Sequence, residues 1–433
     1  MRFEDQEVQS LVQSYERAVK NNRQPYYDVE DLELIINFYY DTGSFDQMAQ
    51  AIKFSILLHP HSLVFKIKEI QLDIATKEFT QAQAKLQQME GLTDHHVELL
   101  IARATLFIHQ GKTAKALELL DSALKRAEDQ EEVLQQIIDA HLAQGSYAHA
   151  ADAILKLCEL DEELDEGTIY QLALCFDFMH QYDRALEVFS SFIEREPYNA
   201  LLWYQKAAFS LRLNLEDEAL DFFNWAVIAD ESFHAAYFEI GRIHERNDRL
   251  IEALNAYHQS ISEDVPSGYI HLRIGMIEQE LGSLNAALRA FNVAIDVEPE
   301  LDDVYLERAN ILCELDRYEE AINDYKKTWL LGNYGAEDVI DYVEALVELD
   351  RLDEAIEILY DGVAQFEDNP LLQLILSGYL FATAAYDEGK EILTNCLKLE
   401  PTSIELFHEY FPAFGRIPEI TSILAEIQSA DDA

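Results

Sequence analysis

Between Gly268 and Leu301 the apolar residues fall into two stripes of helical spacing. Ile270, Ile274, Ile277 and Leu281 recur at intervals of three and four and end at Gly282, a residue able to take the left-handed conformation that closes a helix. Ala287, Leu288, Phe291 and Ile295 form the second stripe, which runs to Pro299, where the missing N–H stops a helix. The stretch predicts one helix-turn-helix pair. One pair cannot bury both stripes, so it needs neighbours of the same kind.

The sequence supplies them. The column of Ala287 reads Met48, Ala82, Ala116, Ala150, Ala185, Ala219, Ala253, Ala287, Ala321, Ala355 and Gly389, in steps of 34 residues with a single step of 35. Small residues are required where the second helix of a pair lies closest to the first. The column of Phe291 is large throughout, from Ile52 through Phe189, Phe223, Tyr257 and Tyr325 to Leu393, and predicts the residues that fill space between successive pairs. A third, small column holds Ala173, Ala207, Gly241, Gly275 and Ala309, with Ile36, Ile70 and Ile138 in its early members. Pro60, Pro197, Pro299 and Pro401 mark the ends of second helices.

Period, two small columns, one large column and a closing proline together resemble the tetratricopeptide repeat family, over Val29 to about Ser403 and most strongly from Glu166 to Asn333. The resemblance implies an all-α solenoid, a right-handed superhelix of about eleven repeats that start near residues 29, 63, 97, 131, 166, 200, 234, 268, 302, 336 and 370. Residues 1–28 are expected to form an N-terminal capping helix and linker, with Val8, Leu11, Val12, Tyr15 and Val19 on one face and an end before Gln24-Pro25. Residues 404–433 are expected to form a C-terminal capping helix pair and a short acidic tail, with Pro418 opening the last helix and Ile420, Ile423, Leu424 and Ile427 turned inward. Caps at both ends predict a complete solenoid.

Charge changes the picture most. The 433 residues carry 82 acidic against 32 basic side chains, a formal charge of −50. Such a field repels phosphate and attracts cationic partners. It counts against nucleic acid as a ligand, and so against the related pentatricopeptide repeats that read RNA. The start, Met1-Arg2-Phe3-Glu4-Asp5, does not read as an export signal. The uncharged window Asn369 to Tyr386 includes Gln373, Ser377 and Gly378 and keeps the repeat register, so it predicts a buried helix and no membrane insertion. Cys158, Cys175, Cys313 and Cys396 show no close pairing and read as small core residues in a reducing compartment, which predicts a cytoplasmic location.

No motif predicts catalysis, a metal or a cofactor. Gly111-Lys112-Thr113 imitates the end of a phosphate-binding loop, but Leu106 stands where the leading glycine belongs. His244-Glu245 and His408-Glu409 open like zinc-protease signatures, and Asp248 and Pro412 occupy the second histidine's place. His59-Pro60-His61 and His95-His96 fall in turns, and the acidic run Glu159 to Glu166 lacks the glycine and closing glutamate of an EF-hand.

What remains is a protein or peptide ligand. The resemblance implies that the first helix of each pair lines the concave groove. There Tyr170, Phe178, Tyr204, Leu211, Arg212, Phe238, Arg242, Arg246, Tyr269, Leu272 and Met276 form an aromatic and apolar stripe with several of the scarce arginines, residue types enriched at binding hot spots. Glu30, Glu33, Asp41, Glu98, Glu132 and Asp139 before it, and Asp303, Glu314, Glu337, Glu344 and Glu348 after it, suit a partner with basic flanks. The favoured expectation is an interaction scaffold or adaptor that binds an extended or helical segment. The alternative is an acidic chaperone or assembly factor that shields a basic client.

Overall fold

The computed structural model describes residues 3–21, 26–89, 96–160, 163–262, 267–332, 334–400 and 402–431. Gln24-Pro25, His95, Asp161, Glu162, Asn333, Pro401 and the last two residues of the acidic tail lie outside them, as does the side chain of Ile427. Among the described residues the protein is an all-α solenoid of 25 α-helices with one short 3-10 turn and no strand. Helices begin at Val29, Leu63, Val97, Glu131, Glu166, Ala200, His234, Gly268, Asp302, Ala336 and Pro370, each is followed by a second helix, and within each unit the two helices of a pair pack against one another. The chain divides into two compact units, Met1–Leu215 and Glu216–Ala433.

Every turn inside a pair uses one left-handed residue at the same position. These are Gly43, Lys77, Gly111, Gly145, His180, Asn214, Asp248, Gly282, Asp316, Asp350 and Ala384. The next residue's N–H reaches back five residues to a carbonyl that the helix end leaves free, as in Ser283 N to Glu278 O at 2.7 Å and Glu78 N to Asp73 O at 2.7 Å. Gly282 thus closes its helix at φ +74°, as its position in the pattern predicts. Pro60, Pro197 and Pro299 follow second helices that end at Leu58, Arg195 and Val297.

The columns are contacts. All members of the Ala287 column are buried, and so are all members of the Phe291 column. The large residue lies over the small position of its own first helix: a Cβ on Gly241 would stand 2.8 Å from the Tyr257 ring, and one on Gly275 would collide with Phe291. It also reaches the following pair. Phe189 stacks on Phe209 at 5.7 Å in the first unit, and Tyr325 on Tyr342 at 5.4 Å in the second. Where the small column instead holds Ile36, Ile70 or Ile138, the facing large column holds Ile52, Leu86 or Ile154, all buried. Ring against glycine and aliphatic against aliphatic fill similar volumes, so early and late pairs keep the same close packing.

In the first unit, helix Phe3–Lys20 covers the first pair. Tyr15 meets Tyr27 and Phe54 edge-on, at 6.0 and 5.7 Å. Val19, expected on that apolar face, is 40% exposed, because it sits one turn past the last side chain to reach the core. In the second unit the end of the chain is closed by helices Ser403–Tyr410 and Pro418–Asp431, with Phe407, Ile420 and Leu424 buried. Helix Pro370–Ala382 starts on Asn369, whose Oδ1 accepts from the N–H groups of Leu371 and Leu372 at 3.0 and 3.1 Å, and most of its apolar side chains are buried. Among the described residues no helix is long and apolar enough to cross a membrane. Among the described residues no cysteine is in a disulfide; Cys158, Cys175 and Cys396 are buried, burial pushes Cys175 up to about 11, and Cys313 is half-buried.

Candidate partner-binding surface

The expected site residues fall on both units, and each set is a surface of its own. In the first unit, helix Glu166–Met179 is capped by Asp165, whose Oδ2 accepts from Thr168 N at 3.0 Å. Tyr170, Leu174 and Phe178 follow at four-residue spacing and are 51, 48 and 56% exposed. Phe178 lies flat on Tyr147, ring centroids 4.4 Å apart, so its ring is held in place while one face stays open. Between this helix and Ala200–Arg212 is an apolar-lined hollow of about 260 Å³, bordered by Tyr170, Leu174, Asp177, Gln205, Phe209 and Arg212. Tyr204 and Leu211 are half-buried beside it in the chain. Leu174 is absent from the expected set, although its spacing from Tyr170 placed it on the same face.

In the second unit, Phe238 is half-buried against Tyr257 and meets Tyr269 edge-on at 6.2 Å; Tyr269 is 44% exposed. Arg242 lies over the Phe238 ring at 5.9 Å. Met276 is half-buried, its Sδ 3.6 Å from Arg273. Leu272 corrects the expectation. It is 3% exposed and belongs to the same core as Phe291 and Val304, because its short aliphatic side chain is covered where rings at the equivalent positions Tyr170, Tyr204 and Phe238 project further.

The three expected arginines are already engaged. Arg212 forks onto Asp177, Nε to Oδ1 at 3.2 Å and Nη2 to Oδ2 at 3.3 Å. Arg242 Nη1 donates to both oxygens of Glu239 at 3.0 Å, and Arg246 reaches Glu216 at 3.0 Å. An incoming carboxylate would have to displace one of these. The pattern gave no sign of Arg273, which pairs with Glu245 while the Tyr257 hydroxyl donates to the same carboxylate at 2.6 Å.

Negative charge on the other first helices is less fully matched. In the first unit Glu33 pairs with Lys68 at 3.2 Å, but burial, with Glu98 and Glu33 nearby, raises the Glu132 carboxyl despite the same lysine. Asp139 is raised by burial, although Gln135 donates to it at 3.1 Å. In the second unit burial and neighbouring carboxylates raise Glu307, Asp341 and Glu344. A group that binds its proton more tightly when folded loses stability as pH climbs through its raised pKa. Lowering pH from about 7 towards about 5 is therefore expected to raise the urea midpoint, before the ordinary carboxylate range near 4 is reached. Below that range the trend reverses, because Glu320 and Glu354, lowered by Arg317 and Arg351, lose their partners on protonation. A midpoint that falls steadily across the whole interval would contradict this balance. Among the described residues no three His, Cys, Asp or Glu side chains are placed to hold a metal ion.

A family model described as a tetratricopeptide repeat matches residues 101–164 and 170–232. Among solved structures, the chain is similar to YrrB, titled a TPR protein with an unusual peptide-binding site, at 18% identity and TM-score 0.40, over 46% of this chain and 99% of that one. It is similar to the pilus biogenesis factor PilW at 19% identity and TM-score 0.39, over 49 and 100% of the two chains. The Cut9-Hcn1 hetero-tetramer structure matches at 12% identity and TM-score 0.35, over 98 and 93%. No curated protein matches.

Proposed function

We propose, from the tetratricopeptide repeat model that matches residues 101–164 and 170–232, that the chain is a non-catalytic scaffold or adaptor whose first-helix faces take up an extended or helical segment of a partner protein. Repeats of this family mediate contacts between proteins. The observation that carries the reading is the exposed row Tyr170, Leu174 and Phe178 beside the hollow that Arg212 and Asp177 close. Large rings and an aliphatic side chain left about half in water on a rigid helix are the anchors such a segment would cover. Phe238, Tyr269, Met276, Arg242 and Arg246 form the corresponding face of the second unit. Since the arginines already hold carboxylates, the segment is recognised first through its apolar side chains, and the arginines orient the rings and the rim.

The test begins with affinity capture from the native cell and identification of the bound protein by mass spectrometry. Tyr170→Ala/Phe178→Ala is then expected to weaken the purified complex by about ten- to a hundredfold, with the circular dichroism unchanged. Affinity within twofold of the parent would remove this face from the reading.

The acidic chaperone reading draws on the raised carboxylates on both units. It separates cleanly. Under it, Arg242→Glu/Arg246→Glu leaves binding largely intact while salt between about 0.05 and 0.5 M abolishes it, whereas the groove reading expects the reverse.

A further inference from the structure

In the second unit a cavity of about 680 Å³ opens among the first helices Asp302–Glu314, Ala336–Glu348 and Pro370–Ala382. Three tyrosines form part of its wall: Tyr318, Tyr325 and Tyr379. Tyr325 is fixed by stacking on Tyr342 at 5.4 Å and by donating its hydroxyl to Asn310 Oδ1 at 2.7 Å. Tyr379 is braced edge-on by Phe411 at 5.6 Å. These are built surfaces, with rings that do not need to be ordered when something binds.

The charged lining is all of one sign. Glu314, Asp341, Glu344 and Glu348 border the cavity, with Glu344 and Glu348 one turn apart on the same helix. The cations of the flanking elements are committed elsewhere: Arg308 to Asp324, Arg317 to Glu320, Lys326 and Arg351 to Glu354, and Lys327 over the Tyr305 ring. Burial, with Asp338 and Glu337 nearby, raises Asp341; burial, with Asp341 and Glu348 nearby, raises Glu344; and burial together with Glu344 and Glu348 raises the Tyr379 hydroxyl. Among the described residues the cavity therefore holds negative charge against aromatic walls with no cation in its lining.

We propose that this cavity receives an arginine side chain from an extended segment of the partner protein, the guanidinium lying against the half-buried rings of Tyr318 and Tyr379 while its N–H fork meets Glu344 and Glu348. A guanidinium suits both halves of the lining, since it stacks on aromatic faces and pairs carboxylates through two parallel hydrogen bonds. The volume lies within the range of ligand pockets, roughly 300–1,000 Å³, and exceeds one side chain, which leaves space for the backbone on either side. The inference rests on the reading that first-helix faces receive a partner, and it names one residue type that the partner must carry.

The probe is the peptide acetyl-Ala-Ala-Arg-Ala-Ala-amide, titrated into the full chain at about 0.1 M salt and followed by calorimetry and by the tyrosine ring signals in NMR. Citrulline and lysine versions serve as comparisons. Glu344→Gln/Glu348→Gln and Tyr379→Leu are each expected to weaken the arginine peptide about fivefold or more, and citrulline in place of arginine about tenfold. Asp353→Asn/Glu357→Gln, the same charge change on exposed positions of the second helix Leu352–Gln365, is expected to leave it within about twofold. An equal loss in that control would mean attraction to the overall field and would overturn the proposal. So would undetectable binding of the arginine peptide, equal binding of citrulline, or tighter binding of lysine. The peptide assay needs no knowledge of the partner, so its failure leaves the Tyr170 and Phe178 test standing, and failure there leaves the peptide result standing.

Discussion

Phe291→Ala is expected to destabilise the second unit by about 3–5 kcal/mol, the loss typical of a buried ring whose space does not fully collapse. Phe291 has no exposed surface and lies against Gly275 of its own first helix. The reverse change makes the argument specific. Gly275→Ala places a methyl where the Phe291 ring stands, and overpacking of this kind costs about 1–3 kcal/mol. With the ring removed, the same alanine fills vacated space and improves helix propensity, by up to about 1 kcal/mol relative to glycine. The two substitutions are thus expected to be strongly non-additive, with the double variant more stable than Phe291→Ala alone. Urea unfolding, with hydrogen exchange of helix Gly268–Glu280 to localise the change, measures all four corners of the cycle. Simple additivity would show that the two columns do not touch as described.

That contact was legible because it repeats. A residue pair that meets once per hairpin at a fixed separation writes its sizes into columns, and Gly241 with Tyr257 or Ile70 with Leu86 can be read as two halves of one volume. The turns were legible only in part. Gly282 and Gly43 advertise the left-handed position, and Asn214, Asp316 or His180 tolerate it, but Lys77 and Ala384 take it with no signal of their own, held there by the backbone bonds that close each helix. The candidate surface was legible as a face and not as a state. Period places Tyr170, Tyr204, Phe238 and Leu272 in one column, yet their exposure runs from open to buried, because what covers each depends on the length of its side chain and on the next pair. The arginines were visible as types, but their partners were not. Arg212 and Asp177 are 35 residues apart and Arg246 and Glu216 are 30 apart, and with 82 acidic residues in the chain no spacing singles out the carboxylate that each arginine meets.

The same lack of a sequence signal hides the ion pair with the largest expected effect. Arg308, on helix Asp302–Glu314, grips Asp324 on the following helix through two bonds of 2.7 Å, Nε to Oδ2 and Nη2 to Oδ1, while Nη1 donates to Asn292 at 2.7 Å. The Asp324 side chain is 8% exposed and Arg308 21%, so neither charge is well served by water. Arg308→Ala strands the carboxylate in that environment, and a loss of about 3–5 kcal/mol is expected. Asp324→Asn leaves the arginine nearer to solvent and should cost less. Replacing both together, Arg308→Met/Asp324→Leu, removes the pair and its desolvation at once, and is expected to recover most or all of the stability lost in Arg308→Ala. Equilibrium unfolding of the three variants decides between two roles. Recovery in the double variant means that the pair answers its own burial, whereas a double variant as weak as Arg308→Ala would mean that the guanidinium, through its bonds to Asn292 and Asp324, holds successive helices together in a way that apolar packing cannot replace.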